Sequence, residues 1–300
     1  MFELISHMKR RPVTAVLLII PLIIVALLRL FPALDIHAWS LSWYTRLIQY
    51  YFGAFASFIA LVAALFANSA LGEKTTARSI FLTLGFITLS VLFLFSSLGT
   101  PNILIQGASN PAFVWSIRLS LPASAFFFAA SAMDWSGKAE KFIVHYRRLF
   151  WLVELLVLLS YGLLVFGYPQ GLTFLLAFEP VLPTVIGILA VVLLLWTARR
   201  ARVLNWYGKQ MINGRLAVVF LLLAEAQLCL ILGVAGQLSW LMYHPLVIIA
   251  LIVTLSAILK ASKPPATYSY PATLPLWAAF SLLDCHWSVR KLAFAGLTQA

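Results

Sequence analysis

Long apolar runs separated by short polar segments dominate the chain. Each run is close to the length of about 20 helical residues that crosses a bilayer core of about 30 Å. Since the runs are continuous rather than short stretches of alternating polarity, they predict helices and not a β-barrel. We therefore expect an all-α fold, a polytopic transmembrane helix bundle with about eight spans in residues 1–260. The eight runs cover residues 12–31, 48–70, 79–98, 112–133, 149–168, 180–198, 215–236 and 241–260.

The segment after the last run has a different pattern. Residues 261–300 begin with a Pro-rich stretch, from Lys263 to Pro275, in which a helix cannot continue. The apolar stretch Leu276–Leu283 is too short to span a bilayer and predicts either a short interfacial helix or an abnormal end to a longer protein. We expect a Pro-rich cytoplasmic tail here. No convincing internal repeat is visible along the chain, and no matching broken helices suggest inverted transporter halves.

The distribution of Lys and Arg predicts the orientation of the spans. With the N-terminus inside the cell, eighteen of these residues fall in inner segments, whereas only Arg29 and Arg46 fall outside and Arg118 lies within a span. This asymmetry follows the positive-inside rule and predicts a plasma-membrane protein with both termini cytoplasmic. The tryptophans are expected at the two membrane interfaces: Trp39, Trp43, Trp115 and Trp240 outside, and Trp135, Trp151, Trp196 and Trp206 inside.

Composition agrees with a chain that is surrounded mostly by lipid. Apolar residues make up 63% of the sequence, charged residues 10%, and the mean hydropathy is +0.98. The net charge of +12 does not indicate a nucleic-acid partner, because the basic residues lie in short clusters between apolar runs. Cys229 and Cys285 have no CxxC partner, so neither a disulfide framework nor a zinc site is expected.

Three charged residues fall within the predicted spans. Glu225 lies near the middle of the seventh span, where a carboxyl could respond to protons, contact a ligand, or simply form hydrogen bonds between helices. Arg118 lies nearer the outer end of the fourth span, and its side chain could extend to the interface or reach toward Glu225. Glu154, one turn inside the fifth span, is expected to form an interfacial ion pair beside Arg147 and Arg148.

A polar and aromatic segment precedes the eighth span. It contains Trp240, Tyr243 and His244, and the imidazole could sense pH or bind a metal or a small ligand. An ordinary interfacial histidine is the alternative. Glu179 and His37 lie in other outer segments and could join His244 in one cavity, which the sequence cannot test.

Known cofactor and enzyme patterns are not found in the sequence. Bis-His haem ligation needs imidazoles on facing helices, and His244 is the only histidine on a predicted span. The sequence also contains no phosphate-binding loop, G-x-G-x-x-G, H-E-x-x-H or G-x-S-x-G motif. We therefore expect no cofactor, no metal and no catalytic residue.

The last two predicted helices resemble a bacterial multi-pass sensor region. The residues that carry this resemblance are Ala224-Glu225-Ala226-Gln227, Gly233, Leu238-Ser239-Trp240 and Tyr243-His244. Such regions precede nucleotidyl cyclase, diguanylate cyclase or histidine kinase domains. The resemblance implies that Glu225 and His244 take part in sensing. The chain departs from the family because about 40 non-matching residues follow the last span, so we expect a sensor module without its effector domain.

The leading hypothesis is a non-catalytic membrane sensory or anchoring module. Its expected partners are the lipid bilayer, a cytoplasmic effector domain or signalling protein, and a second copy of the chain. A transporter or channel for a small solute is the alternative, although only Glu225 lies near the midplane and Asn and Gln are sparse within the spans. A membrane-embedded enzyme acting on lipid would need a cluster of His, Asp or Glu at one interface, which the mostly basic inner segments do not provide.

Overall fold

In a computed structural model of the 300-residue chain, the described residues are 12–35, 42–70, 76–103, 111–168, 181–207, 211–233 and 237–261. By its contacts the chain divides into residues 1–262 and 263–300, and every described residue lies in the first unit. The described part is helical and contains no β-sheet. Its α-helices are α1 (Pro12–Leu30), α2 (Ser42–Ala70), α3 (Ala77–Leu98), α4 (Pro111–Ala132), α5 (Gly137–His145), α6 (Arg147–Gly167), α7 (Val181–Tyr207), α8 (Met211–Leu232), α9 (Leu238–Leu241) and α10 (Tyr243–Ala261).

The predicted all-α polytopic bundle is confirmed. Seven stretches of the described helices are long and apolar enough to cross a membrane. They are Arg46–Ala67, Ala77–Leu98, Phe113–Ala132, Arg147–Gly167, Val181–Val203, Gly214–Leu232 and Leu238–Leu259. The first predicted run forms α1, a helix of 19 residues, of which Ile20–Leu30 is a shorter apolar stretch. The predicted tail at 261–300 lies outside the described residues except for Ala261.

Several helices extend beyond the apolar runs that predicted them. Helix α7 continues to Tyr207, nine residues past the predicted end of its run, because its Arg-rich continuation is a good helix former in water as well as beside lipid. Helix α2 begins at Ser42 rather than at residue 48. The eighth run begins earlier than predicted and is divided at Met242, between α9 and α10.

Six of the helices contact one another in a closed order. Helices α2, α3, α4, α7, α8 and α10 each pack on the next, and α10 returns to α2. The two remaining long helices lie outside this ring, with α1 against α8 and α6 against α3. Between α4 and α6, the short helix α5 packs on α3 through Ile143, which is buried against Phe81 and Ile80.

The helix pairs have a two-fold order that was not visible in the sequence. When α1, α2, α3 and α4 are exchanged in that order with α6, α7, α8 and α10, the set of principal helix pairs in contact stays the same. The helix ends lie 137 residues apart for α1 and α6, 137 for α2 and α7, 134 for α3 and α8, and 129 for α4 and α10. The sequence itself shows no convincing internal repeat, so this order is seen only in the helix packing.

Candidate functional site

One end of the bundle gathers the residues predicted around His244. We call Asp35, Phe52, Ser239, Trp240, Tyr243 and His244 the corner. The chain reaches it from the end of α8, where Gly233 allows close packing: a Cβ there would lie 2.6 Å from the Trp240 Cα and 2.6 Å from the Cys229 carbonyl oxygen. A larger residue at 233 would therefore displace the backbone that leads into α9.

Asp35 joins the end of α1 to the beginning of α9. It follows a short 3-10 helix at Pro32–Leu34, and its side chain is 6% exposed. Ser239 donates two hydrogen bonds to it: the backbone N–H to Oδ1 at 2.9 Å and the hydroxyl to Oδ2 at 2.7 Å. The first turn of a helix has N–H groups without helical partners, and Gln237 at the N-cap makes no side-chain capping bond. A carboxyl from a distant segment therefore caps α9.

The three sequence-predicted residues of the corner pack against one another. The ring of His244 lies 3.9 Å from that of Tyr243 and 5.8 Å from that of Trp240, measured between centroids. All three side chains are buried. His244 Nδ1 is 3.3 Å from the Leu241 carbonyl oxygen, so the tautomer that carries its proton on Nδ1 donates a hydrogen bond there.

Rings from three further helices close around this group. Phe52 of α2 lies 5.9 Å from His244, Phe93 of α3 stacks on Tyr243 at 6.4 Å, and Phe113 of α4 lies 6.1 Å from Trp240. The Tyr243 hydroxyl is buried and has no hydrogen-bond partner among the described residues. A buried hydroxyl without a partner is unfavourable. The corner thus combines an imidazole, a phenol without a hydrogen-bond partner, and aromatic rings contributed by α2, α3, α4 and α10.

Trp115 and Trp240 differ from the expected interfacial tryptophans. Both are buried within the bundle, at 2% and 6% exposure. Trp240 contacts Phe113 and Tyr243. The indole Nε1 of Trp115 has no hydrogen-bond partner in the part of the chain that the structure describes. The sequence placed both residues at membrane ends but could not distinguish a ring facing lipid from one facing neighbouring helices.

The structure does not bring Glu225 and Arg118 together. Glu225, on α8, is buried, and its Oε2 has no hydrogen-bond partner among the described residues. Arg118, on α4, is half-buried and interacts elsewhere, and no ion pair joins the two within the described ranges. Neither side chain contacts the rings of the corner. Of the five site residues predicted from the sequence, Trp240, Tyr243 and His244 therefore lie together in the corner. Glu225 and Arg118 lie at two other positions.

Glu154 lies in a different environment from the predicted interfacial ion pair. Its side chain is buried at 7% exposure and hydrogen-bonds to the hydroxyl of Thr88, which lies at the middle of α3. The carboxyl therefore faces the protein at membrane depth. Arg147 and Arg148 lie about 10 Å away along the same helix, toward its start. The prediction was wrong because the sequence does not show which face of α6 packs on α3.

Asp35 is the corner residue that sequence reasoning missed. It is the only acidic residue in the segment between α1 and α2. This was the one feature of the sequence that could have identified it as a site residue. Its partner lies 204 residues away along the chain. His37 and Glu179, the other outer residues considered, lie outside the described residues.

Within the described ranges, no group of three or more His, Cys, Asp or Glu side chains could hold a metal ion. Comparison of the chain with protein-family models, with curated proteins and with solved structures found no match. A functional assignment must therefore follow from the geometry of the site.

Proposed function

We propose that the chain is a non-catalytic sensory module of the bacterial inner membrane, with both termini in the cytoplasm. The observation that carries this proposal is the connection at the corner, where Asp35 at the end of α1 caps the helix that leads into α10. A stimulus that binds at His244 and Tyr243 would act on this connection directly. The resemblance of the last two spans to bacterial sensor regions supports the same function.

The proposed signal travels along α10. This helix of 19 residues is about 28 Å long and leads from the corner to the opposite end of the bundle. A stimulus changes the output only if it binds two packings of the helices with different affinity. We propose that these packings differ in how α10 lies against α2 and α8, the two helices that it contacts most. An effector domain or signalling partner at Ala261 and beyond would receive the difference.

A chimaera with a cyclase domain fused after Ser262 tests this proposal. Cyclase activity is measured across pH and a panel of small extracytoplasmic ligands, for the parent module and for His244→Ala, Tyr243→Phe and Glu225→Gln. His145→Ala is the matched control, because His145 is exposed on α5 and lies outside the corner. The proposal expects the His244 and Tyr243 variants to alter the response and the control to retain it. A response that is the same in all variants would contradict the proposed site.

Transport of a small solute is the second candidate, and the two-fold order of the helix pairs favours it. Parallel repeats of this kind occur in several transporter folds. Against transport, packed aromatic rings close the corner, although buried Ser, Thr, Gln and Glu side chains lie elsewhere among the described helices. Uptake into proteoliposomes distinguishes the candidates: solute accumulation that requires the purified protein would favour transport.

A further inference from the structure

The contact between α6 and α3 contains a buried carboxyl that the corner does not involve. The buried residues of α6 are Glu154, Leu158, Gly162 and Val165, and their spacing places them along one face of the helix. This face packs on α3, where a Cβ at Gly162 would lie 2.7 Å from the ring of Phe95. The other faces of α6 expose large apolar side chains to the surroundings of the bundle. The only acid on α6 thus lies in its contact with the protein.

The hydrogen bonds of Thr88 indicate the protonation state of Glu154. Thr88 Oγ1 lies 3.0 Å from the Leu84 carbonyl oxygen, the usual acceptor for a threonine hydroxyl in a helix, and it also contacts Glu154 Oε1. A hydroxyl carries one proton and can donate fully to only one of these acceptors. If the Thr88 hydroxyl donates to the Leu84 carbonyl oxygen, its oxygen must accept in the hydrogen bond with Glu154. The Glu154 carboxyl must then carry a proton, which it donates to Thr88. Glu154 Oε2 has no partner among the described residues, so no second group stabilises a negative charge.

We propose that Glu154 is a proton-binding site in the membrane, where α6 packs on α3. Its carboxyl is neutral when α6 is packed and donates its proton in the hydrogen bond to Thr88. Loss of the proton leaves a buried charge with no cation beside it, which weakens the packing of α6. The site would make the attachment of α6 depend on protons, whether or not the corner senses a ligand.

The other ionisable groups on the helices around Glu154 lie at some distance along the chain. Helix α3 contributes Arg78, ten residues or about 15 Å from Thr88, and α4 contributes Arg118. Helix α6 itself adds Tyr161, whose hydroxyl is 3.0 Å from the Ser116 Oγ. The remaining groups lie at the start of α6 or on α5: Arg147, Arg148, Lys138, Glu140, Lys141 and His145. Within the described ranges, none of them forms an ion pair with Glu154.

Infrared spectroscopy of the full chain, with isotope-labelled glutamate, tests the proposal. A protonated carboxyl has a C=O stretch that a carboxylate lacks. At neutral pH we expect such a band that is lost in Glu154→Gln. This band should decrease as the pH is raised. Spectra from which Glu154→Gln removes no such band at neutral pH would overturn the proposal.

A second pair of variants tests the hydrogen bond of Glu154 to Thr88. Thr88→Val should shift the Glu154 band to higher frequency, because the acid loses its hydrogen-bond acceptor. Thr83→Val is the matched control: Thr83 is also buried on α3, and its hydroxyl donates to the Ser79 carbonyl oxygen at 2.8 Å. An unchanged band in Thr88→Val, or an equal shift in Thr83→Val, would show that Thr88 does not bind the protonated acid.

Discussion

Single residues connect parts of the bundle that are far apart in the chain. Asp35 accepts two hydrogen bonds from Ser239 across 204 residues, and Thr88 contacts Glu154 across 66. In both cases one polar side chain forms hydrogen bonds with buried groups that the surrounding apolar side chains could not bond. Such contacts determine which helices pack together in lipid, where apolar side chains distinguish poorly between one partner helix and another.

Removal of the Asp35 connection should destabilise the corner measurably. We expect Asp35→Ala and Ser239→Ala to be coupled by about 1–3 kcal/mol in the free energy of unfolding, because hydrogen bonds that involve an ionisable group fall in that range. A double-mutant cycle in detergent, with unfolding by a denaturing surfactant, measures the coupling. Strictly additive effects of the two substitutions would contradict the contact.

The sequence predicted the local members of the corner but not the distant ones. Trp240, Tyr243 and His244 are close together in the chain, so one polar and aromatic segment was enough to identify them. Asp35 could not be assigned, because its role depends on where α1 ends relative to α9. Glu154 was misplaced for a similar reason, since its chain neighbours suggested an ion pair while its helix face determined a different contact.

At the scale of helices, small residues allow close packing at selected contacts. A Cβ at Gly162 would come within 2.7 Å of Phe95, whereas one at Gly167 on the same helix meets no atom within 4 Å. The run of apolar residues predicted α6 well, yet it gave no indication of which glycine lies in a contact. Helix α5 was also missed, because nine residues with one buried isoleucine form too short a pattern to identify.

Substitution of these two glycines should have different effects. Gly162→Leu is expected to lower the free energy of unfolding by about 1–3 kcal/mol, the usual cost of an overpacked contact. Gly167→Leu serves as its control and should change the stability by less than about 0.5 kcal/mol. Equal losses in the two variants, measured by surfactant unfolding, would show that α6 does not approach α3 as closely as described.

At the scale of the described helices, two groups of four long helices exchange their first members. Each outlying helix packs on the third span of the opposite half, α1 on α8 and α6 on α3. Run length alone predicted seven helices that are long and apolar enough to span a membrane, together with the shorter α1, because lipid requires continuous apolar helices. The order of packing could not be predicted, since the apolar runs of different spans are interchangeable by composition.

Fusions of alkaline phosphatase test the proposed orientation. This enzyme needs disulfide bonds and is active only outside the cytoplasm. We expect activity when it follows Ile103 and no activity when it follows Ser136 or Ser262, because Lys and Arg are concentrated at the ends of the spans near the latter two positions. An active fusion after Ser262 would reverse the proposed side of the effector.

The central claim is that a change at the corner alters the packing of α10 at the opposite end of the bundle. Spin labels at Leu259→Cys on α10 and Val203→Cys on α7, both partly exposed, report this packing in a Cys285→Ala background. Pulsed electron resonance then gives the distance distribution between the labels, for the parent protein and for Asp35→Asn and His244→Ala. The account predicts that each corner variant shifts the distribution or changes the populations of two distances. Distributions that are identical in all three proteins would contradict it.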